Sequence, residues 1–289
     1  MKKMSLAAII VLMLLLAAGC GGKNGTEQSN TPTEKAEGQT PTAEATPTTA
    51  EATPTTAEAT PTAAETTPTT GPTEPTPTVT EKEEENMHAT LLYQGHGSAR
   101  IVTGDGKVIY IDPFKGSGYD LPADLILMTH AHYDHTQENL IAKKNPDCRK
   151  ITWVEALEGG VHQTFDLGFV KVETVEAGYN KNHNVKECVG FILTFPDGVS
   201  VYFTGDTSTT PTMEKLADRK LDYAFLCCDG IYNMGVAEAS ECAKAIKAKH
   251  SIPYHMAPNS DVGFERSIAE KFDGPGRIIL PAMEELVLE

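Results

Sequence analysis

The chain has few basic residues for its length. Its 289 residues contain 24 Lys and Arg against 40 Asp and Glu, which gives a formal net charge of −16 at pH 7. From residue 88 onward 28 acidic residues stand against 19 basic ones, so this part alone carries −9. Nucleic-acid binding relies on Lys and Arg contacts with phosphates. We therefore expect no nucleic-acid partner, whereas bound divalent cations would offset part of the charge.

Cysteines are also few, and their spacing shows no pairs. Five of the six follow residue 88: Cys148, Cys188, Cys227, Cys228 and Cys242. An odd count without paired spacing argues against a disulfide framework. The adjacent Cys227 and Cys228 end an apolar run, which favours buried packing over thiol chemistry.

The apolar run at the N-terminus is too short for a convincing membrane span. Lys2 and Lys3 precede the run Leu6 to Ala18, as in a secretion signal. The end of the signal, Leu16-Ala17-Ala18-Gly19-Cys20, resembles the bacterial lipoprotein cleavage box, although Ala17 stands where that box more often has Leu. The resemblance implies that residues 1–20 are a lipoprotein signal peptide and that Cys20 is lipidated. We expect an extracytoplasmic protein anchored to a bacterial membrane through Cys20; an ordinary signal peptide with an incidental cysteine is the alternative.

Residues 21–87 lack aromatic residues and almost all large aliphatic ones. Thr, Pro, Ala and Glu dominate, and a seven-residue unit recurs at 45–51, 52–58 and, with one change, 59–65. Such a segment buries too little apolar surface to offset its ordering entropy. Each unit carries a proline and no apolar seam, which excludes a coiled coil. We predict a disordered, extended linker that holds the following domain away from the membrane.

Residues 88–289 are long enough for one substantial hydrophobic core. Apolar runs and turn signals predict short strands at 89–93, 99–103, 107–111, 151–154, 161–165, 169–175, 189–195 and 199–204. Helices are predicted over 137–144 and 236–249. Alternating strands and helices indicate an α/β (α+β) layered fold.

Three histidines and one aspartate lie within six positions after the apolar run Leu125 to Met128. The segment reads Thr129-His130-Ala131-His132-Tyr133-Asp134-His135. Neutral imidazole nitrogens and carboxylate oxygens suit zinc and neighbouring metals. A strand or a helix would place these side chains on different faces. We therefore predict a loop at the carboxyl end of a buried strand, with the ligands divided between two metals; a solvated histidine-rich turn is the alternative.

This His-x-His-x-Asp-His string resembles the signature of the metallo-β-lactamase superfamily of metal-dependent hydrolases. More narrowly, the chain resembles the ascorbate-6-phosphate lactonase-like branch. Three later segments follow the superfamily's order: the segment 177–183 ending at His183, the turn Gly205-Asp206-Thr207, and the strand end Ile252-Pro253-Tyr254-His255. Ser208 stands where members of this branch often have a further Asp, which puts any role for that position in doubt.

The resemblance implies an αββα four-layer sandwich over residues 88–289 with the metals at one edge. It also implies two divalent metal ions, with zinc expected and manganese or iron as alternatives. By the superfamily's pattern, His130, His132 and His183 hold one metal, Asp134, His135 and His255 hold the other, and Asp206 bridges them. A metal-bound hydroxide would cleave an ester, lactone, amide or phosphodiester bond of a small-molecule substrate, with Asp134 accepting its proton.

Three further residues are candidates for roles beside the metals. His96 resembles a histidine of the superfamily's first hairpin and is expected to support the metal site or contact substrate, with a solvated turn as the alternative. Asp112 precedes Pro113 after a strand, and the resemblance implies that it orients a ligand histidine; a turn-forming aspartate is the alternative. Tyr232 lies in a segment like the branch's Gly-x-Tyr-x-Met and is expected to wall the substrate pocket, with core packing as the alternative.

Two other functions remain open. A redox di-iron centre is disfavoured, because superfamily members with that chemistry resemble His-x-Glu-x-Asp and no flavin-binding domain is evident. A non-catalytic binding module that kept the fold is expected to have lost ligands, and none of the seven is missing. His88, His162 and His250 match no motif and are expected to be surface or structural residues. The substrate and the oligomeric state do not follow from the sequence.

Overall fold

The computed structural model describes residues 88–289. The predicted signal peptide, the predicted lipidation at Cys20 and the predicted linker of residues 21–87 lie outside the described residues. Within them, the strands form two six-stranded sheets.

The first sheet contains the opening strands of the described residues and the last one. Its strands are β1 (Ala89–Gly95), β2 (Ser98–Val102), β3 (Val108–Ile111), β4 (Ala123–Leu127), β5 (Lys144–Ile151) and β12 (Glu284–Leu288). Their spatial order is β12-β1-β2-β3-β4-β5. The pairs β12–β1, β1–β2 and β2–β3 are antiparallel, whereas β3–β4 and β4–β5 are parallel. The strands β1, β3 and β4 therefore point the same way.

The second sheet contains the six strands between the two parts of the first. They are β6 (Thr164–Asp166), β7 (Lys171–Glu176), β8 (Val189–Thr194), β9 (Ser200–Phe203), β10 (Tyr223–Cys227) and β11 (His250–Tyr254). Their order is β11-β10-β9-β8-β7-β6, with parallel pairing among β9, β10 and β11 and antiparallel pairing elsewhere. The strands β7, β9, β10 and β11 therefore share one direction.

One hydrophobic core joins the two sheets. Both faces of β3 are buried. Ile109 and Ile111 belong to the core between the sheets, while Val108 and Tyr110 belong to a smaller cluster on the outer face. Parallel strands covered on both faces are continuously apolar, as this strand is. The predicted α/β class and the sandwich of two sheets are confirmed.

Helices are short in this part of the chain. They are α1 (Trp153–Ala156), α2 (Val236–Ile246) and α3 (Arg266–Ala269). The longest, α2, buries Ala239, Cys242, Ala243 and Ile246 in the core that also contains the second sheet. No helix among residues 88–289 has both the length and the apolar character needed to cross a membrane.

Most of the predicted strands are confirmed, but the region between β4 and β7 was predicted wrongly. In place of a helix over 137–144, a 3₁₀ turn at Glu138–Leu140 is followed by β5. This strand lies at the sheet edge, is mostly polar and contains Pro146, so it lacks the apolar pattern that identifies a strand. The strand predicted at 151–154 is instead the end of β5 followed by α1, which Thr152 and Glu155 cap reciprocally.

Other boundaries differ by smaller amounts. The strand predicted at 161–165 is β6, which begins only at Thr164, and the strand predicted at 169–175 begins at Lys171. The helix predicted over 236–249 ends at Ile246, because Lys247 adopts a left-handed conformation with φ 57° and closes the helix. The edge strand β12, in which two glutamates precede three apolar residues, carries no apolar alternation and was not predicted.

Candidate metal centre

The seven predicted ligands all lie beyond the carboxyl ends of strands, one in the first sheet and three of common direction in the second. His130 and His132 follow β4, and a 3₁₀ helix at Tyr133–His135 carries Asp134 and His135. His183 lies on the loop after β7, Asp206 follows β9 and His255 follows β11. The carboxyl ends of parallel strands share an edge, which is where α/β proteins place their sites. The structure therefore brings all seven side chains together.

Three histidines form the first group of this cluster: His130, His132 and His183. The Nε2 atom of His130 lies 3.0 Å from Nδ1 of His132. The rings of His132 and His183 have centroids 4.9 Å apart. His132 is exposed while the other two are buried, so the group opens to solvent on the side of His132.

The second group contains His96 in addition to the predicted Asp134, His135 and His255. The Nε2 atoms of His135 and His255 are 3.3 Å apart. The Nε2 atom of His96 lies 2.9 Å from Oδ2 of Asp134, and its ring packs 3.8 Å from that of His255. The solvated turn that was the alternative for His96 is excluded, because this residue is fully buried.

Asp206 lies between the two groups and faces each with a different oxygen. Its Oδ2 atom is 3.2 Å from Nε2 of His183 and 4.0 Å from Nε2 of His130. Its Oδ1 atom is 3.2 Å from Nε2 of His255 and 3.5 Å from Nε2 of His135. One carboxylate thus contacts both sets of imidazoles.

Asp112 contacts one of the predicted ligand histidines directly and a second through Thr129. Its Oδ2 atom accepts a hydrogen bond from Nδ1 of His135 at 2.8 Å and from the hydroxyl of Thr129 at 2.7 Å. Because the Thr129 hydroxyl donates to Asp112, it accepts from Nδ1 of His130, 3.0 Å away. Both rings therefore carry a proton on Nδ1 and direct Nε2 toward the cluster, the nitrogen that would bind a metal once it is deprotonated.

Three residues that orient the ligands were missed by the sequence analysis: Thr129, Asn180 and Asp229. The Oδ1 atom of Asn180 lies 3.1 Å from Nδ1 of His183, and Oδ2 of Asp229 lies 3.2 Å from Nδ1 of His255. A usable signal existed for Asp229, which lies shortly after the apolar strand β10 as Asp206 lies shortly after β9. Asn180 and Thr129 carry no such signal, because their role depends on side-chain direction.

Burial and neighbouring charges set the protonation of the cluster. Burial and the adjacent His135 hold the pKa of His130 well below its ordinary value, and burial with His255 lowers the pKa of His96 to about 4. Burial lowers the pKa of His135, but the carboxylates of Asp206 and Asp112 outweigh this effect and raise the pKa to about 9. Burial alone would raise the pKa of Asp206, yet His255 and His135 hold it well below the ordinary value. Asp206 is therefore a carboxylate at neutral pH.

Unpartnered buried atoms indicate that the cluster is built to hold a cation. Nε2 of His183 and Oδ1 of Asp206 are buried and have no hydrogen-bond partner among the described residues. Buried polar atoms are nearly always satisfied, so such orphans need an explanation. Imidazole nitrogens that face one another at 3.0 and 3.3 Å, beside a carboxylate, are what a divalent metal would satisfy. The residues present fit metal ligation.

The backbone around the cluster adopts conformations that ordinary residues avoid. His96, Asp112 and His255 have φ angles of 54°, 43° and 47°. A non-glycine residue in this left-handed region costs roughly 1–3 kcal/mol and persists where the surroundings fix it, often at functional sites. Gly205, at φ 61°, precedes Asp206 and leaves no room for a side chain, because a Cβ there would lie 2.7 Å from the carbonyl oxygen of Val189.

A cavity of about 430 Å³ opens at the cluster, and Tyr232 lines it together with His132, Asp134 and His183. Core packing, the alternative for Tyr232, is excluded because the residue is 48% exposed. A larger groove of about 790 Å³ lies between α2 and the 3₁₀ helix Met213–Arg219, but none of the seven predicted ligands lines it. His88, His162 and His250 belong to none of the His, Cys, Asp and Glu groups that the described residues form.

Comparisons with known proteins identify the family of this chain. The family model described as "Beta-lactamase superfamily domain" matches residues 90–255. A UPF0173 metal-dependent hydrolase of Geobacillus sp. (strain WCH70) is 31% identical over 218 residues, which cover 65% of this chain and 96% of the relative. The crystal structure of a candidate metal-dependent hydrolase from Parabacteroides distasonis has a TM-score of 0.55 at 29% identity and covers 66% of this chain and 92% of its own. Igni18, a metallo hydrolase of Ignicoccus hospitalis, shares the fold at 20% identity, with a TM-score of 0.56, 70% of this chain covered and 98% of its own.

Proposed function

Because the chain belongs to the beta-lactamase superfamily and is a metal-dependent hydrolase of its UPF0173 group, we propose that two divalent cations operate in its site, one on each side of Asp206. The observation that carries this proposal is the division of the Asp206 contacts. One oxygen faces His183 and His130, and the other faces His255 and His135. A carboxylate so placed is suited to hold two cations at once.

The remaining ligands divide between the two cations. We assign His130, His132 and His183 to one cation, Asp134, His135 and His255 to the other, and Asp206 to both. The donors are imidazole nitrogens and carboxylate oxygens, which suit zinc first and also manganese or iron. Asp112, Thr129, Asn180 and Asp229 would keep the ligand rings in their tautomers and orientations.

When bound, the cations would supply a water of lowered pKa and would polarise the oxygen of the scissile bond. Asp134 is positioned to orient that water and to take its proton, because its carboxylate lines the cavity and is about one-third exposed. Burial acts to raise its pKa, but the hydrogen bond from His96 and the charge of His135 lower it, so the group is ionised. The His96 contact fixes one carboxylate oxygen and leaves the other free. The bond cleaved would be an ester, lactone, amide or phosphodiester.

The narrower resemblance guides the choice of first substrates. We propose that the chain stands beside the ascorbate-6-phosphate lactonase-like branch, which makes lactones the first compounds to screen, followed by esters and phosphodiesters. The support is the order of motifs from His130 to His255 and the Tyr232 segment. The loops around the cavity, rather than the ligands, decide which of these is accepted.

The metal count and a single variant test this function. The full-length chain, purified without chelator, is expected to contain about two zinc or manganese ions by inductively coupled plasma mass spectrometry. His132→Ala is expected to lose one metal and the hydrolytic activity while staying folded. His88→Ala, which alters a histidine that contacts Asp197 outside the site, is the matched control. Bound metal without turnover of any lactone, ester or phosphodiester would favour the non-catalytic metal-binding module instead.

We also propose that the enzyme works outside the cytoplasm, anchored to a bacterial membrane by lipid at Cys20 and spaced from it by residues 21–87. The support lies in the sequence: the basic residues, the apolar run and the cleavage box before Cys20. Metabolic labelling with a radioactive fatty acid tests it directly. The parent chain is expected to incorporate the label and the Cys20→Ala chain is not. In a separate measurement, equal partition of both chains into detergent would mean that the anchor lies elsewhere.

A further inference from the structure

Exposed apolar side chains are concentrated around the metal centre. Among residues 88–289, eleven large hydrophobic side chains are exposed, and several of them lie in segments that carry or adjoin the predicted ligands. We define five of these as the apolar rim: Tyr133, Val185, Ile231, Tyr232 and Val262. Single exposed apolar residues are ordinary, whereas their concentration at a site marks a surface that contacts something apolar.

The positions of the rim residues connect them to the site. Tyr133 lies between the predicted ligands His132 and Asp134 and is 72% exposed, and the centroid of its ring lies 5.9 Å from that of Phe114. Val185 follows His183 by two residues, and the backbone of Val262 packs against Gly95 next to His96. Of the five rim residues, Tyr232 lines the cavity at the cluster, and Tyr133 and Val185 lie within two residues of predicted ligands.

Asp229 connects the loop that carries Ile231 and Tyr232 to a predicted metal ligand. Its Oδ1 atom accepts hydrogen bonds from the backbone N–H groups of Ile231 at 2.6 Å and Tyr232 at 2.7 Å, while its Oδ2 atom faces His255. Across the cavity, the carbonyl oxygen of Tyr232 accepts a hydrogen bond from Nδ2 of Asn182 at 3.0 Å. The two apolar side chains are thus presented on a backbone that is tied to the ligand loops on both sides.

Charged groups that could hold an anion are missing from the cavity wall. Its described lining consists of His132, Asp134, Asn182, His183, Asp206, Tyr232, His255, Pro258 and Asn259, without a Lys or Arg. Sites for phosphate or carboxylate groups use Arg and Lys for their geometry and charge. Lys181 lines a neighbouring depression that also contains Glu187. Metal ions at the centre would bind the reacting group of a substrate. They would therefore not take the place of a Lys or Arg side chain that binds an anionic group elsewhere on the substrate.

From these observations we propose that the substrate is an uncharged ester or lactone whose non-reacting part is an apolar acyl or aryl group packed against Tyr232 and Ile231. This inference rests on the proposed hydrolase function and adds the substrate class. In the reaction the oxygen of water bonds to the carbonyl carbon and the carbon–oxygen bond of the ester breaks. One proton of the water passes to Asp134 and then to the departing alkoxide, so an ester gives an acid and an alcohol and a lactone gives a hydroxy acid.

A series of chromogenic substrates tests the substrate class. The full-length Cys20→Ala chain, loaded with zinc and assayed without detergent, is given p-nitrophenyl acetate, hexanoate and octanoate, the anionic mono-p-nitrophenyl glutarate, and bis(p-nitrophenyl) phosphate. We expect kcat/KM to rise at least tenfold from acetate to octanoate and to be lowest for the two anionic compounds. A single methylene group in a hydrophobic pocket is worth about 10- to 200-fold, so the longer octanoyl chain on a partly exposed surface accounts for at least tenfold.

Variants assign that preference to the rim. Tyr232→Ser is expected to lower kcat/KM for octanoate about tenfold more than for acetate, chiefly through KM, while Tyr232→Phe keeps the preference. Val154→Ser is the matched control, since Val154 is 61% exposed on α1 and is expected to leave every substrate unchanged.

The outcomes distinguish failure of this inference from failure of the proposed hydrolase function. Hydrolysis without a chain-length preference, or with a preference for either anionic compound, overturns the substrate class and leaves the hydrolase intact. A chain that binds zinc and hydrolyses none of the compounds overturns the hydrolase itself. A third outcome would assign the rim to membrane contact and overturn the inference. In that case the Cys20→Ala chain binds phosphatidylcholine vesicles, Ile231→Ser abolishes this binding, and hydrolysis shows no chain-length preference.

Discussion

Asp229 contacts His255 on the side of the imidazole ring away from Asp206, with Oδ2 of Asp229 3.2 Å from Nδ1 of His255. The ring is thereby held between two carboxylates, since Oδ1 of Asp206 lies 3.2 Å from its Nε2 atom. Groups that hydrogen-bond a ligand histidine fix its tautomer and typically change metal affinity by about 10- to 100-fold when they are removed.

Asp229→Asn is therefore expected to weaken binding of one metal about 10- to 100-fold. The amide keeps an oxygen for the backbone N–H groups of Ile231 and Tyr232 but removes the negative charge that faces His255. Competition against a chromophoric zinc chelator measures the two affinities. Asp147→Asn, an exposed aspartate on β5, serves as the control. Equal affinities in parent and variant would mean that Asp229 only shapes the loop.

His96 is expected to act by positioning Asp134 rather than by binding metal. We choose His96→Asn because Asn tolerates the left-handed backbone at φ 54°, while its shorter side chain loses the 2.9 Å contact with Asp134. The expected result is a kcat lower by about tenfold or more, within the range for a misplaced proton acceptor, and an unchanged metal content. Loss of one metal ion from the variant would instead identify His96 as a ligand.

Metal removal is expected to lower the melting temperature as well as the activity. Unpartnered buried atoms such as Nε2 of His183 and Oδ1 of Asp206 would lose their partner, and a ligand that binds only the folded state stabilises it by mass action. At zinc concentrations 100 times the dissociation constant this amounts to about 2.7 kcal/mol. Thermal unfolding of chelator-treated and zinc-reconstituted full-length chain measures the difference; identical curves would contradict the assignment.

Gly205→Ala separates steric exclusion from backbone strain at the turn before Asp206. A Cβ at Gly205 would lie 2.7 Å from the carbonyl oxygen of Val189 and 3.0 Å from the side chain of Thr129. Gly159 has a similar φ of 67° and open space around it, so Gly159→Ala reports the cost of the conformation alone. We expect about 1 kcal/mol for Gly159→Ala and at least about 2 kcal/mol for Gly205→Ala, by denaturant unfolding. Equal losses would show that the turn adjusts.

Asp124 supplies a pH-dependent contribution to stability far from the metals. Burial raises the pKa of its carboxyl group, but hydrogen bonds from the Val108 N–H at 2.9 Å, from Asn145 and from Lys107 outweigh burial and lower it. Because the folded pKa lies below the unfolded value of about 3.9, this stabilisation is present at pH values above the unfolded pKa and is lost as the pH falls through the folded pKa.

Asp124→Asn is expected to cost about 1 kcal/mol at pH 7. The difference from the parent should shrink as the pH falls below the unfolded pKa, because the parent carboxylate is then protonated as well. Urea unfolding at several pH values measures it, with Asp120→Asn as an exposed control. A difference that stays constant down to the lowest pH would assign the effect to packing.

Apolar strands and the string from His130 to His135 were predictable because their signals are local. The strands β3, β8 and β9 are short apolar runs between turn residues, and the structure has them at the predicted places. The edge strands β5 and β12 were not predictable: β5 is mostly polar, and β12 has two glutamates followed by three apolar residues, so neither shows apolar alternation. Only their pairing with β4 and β1 identifies them.

By itself the sequence determined the residue types that could hold a metal and the strand ends that carry them. Through Asp112 before Pro113 it also indicated one group that could orient a ligand histidine. Tertiary structure alone decided that Asp206 divides its oxygens between two histidine groups, that His96 is buried against Asp134, and that Asp229 connects a ligand to the rim. These are contacts between residues far apart in the chain, and their directions depend on left-handed backbone at His96, Asp112 and His255, which only the packed loops enforce.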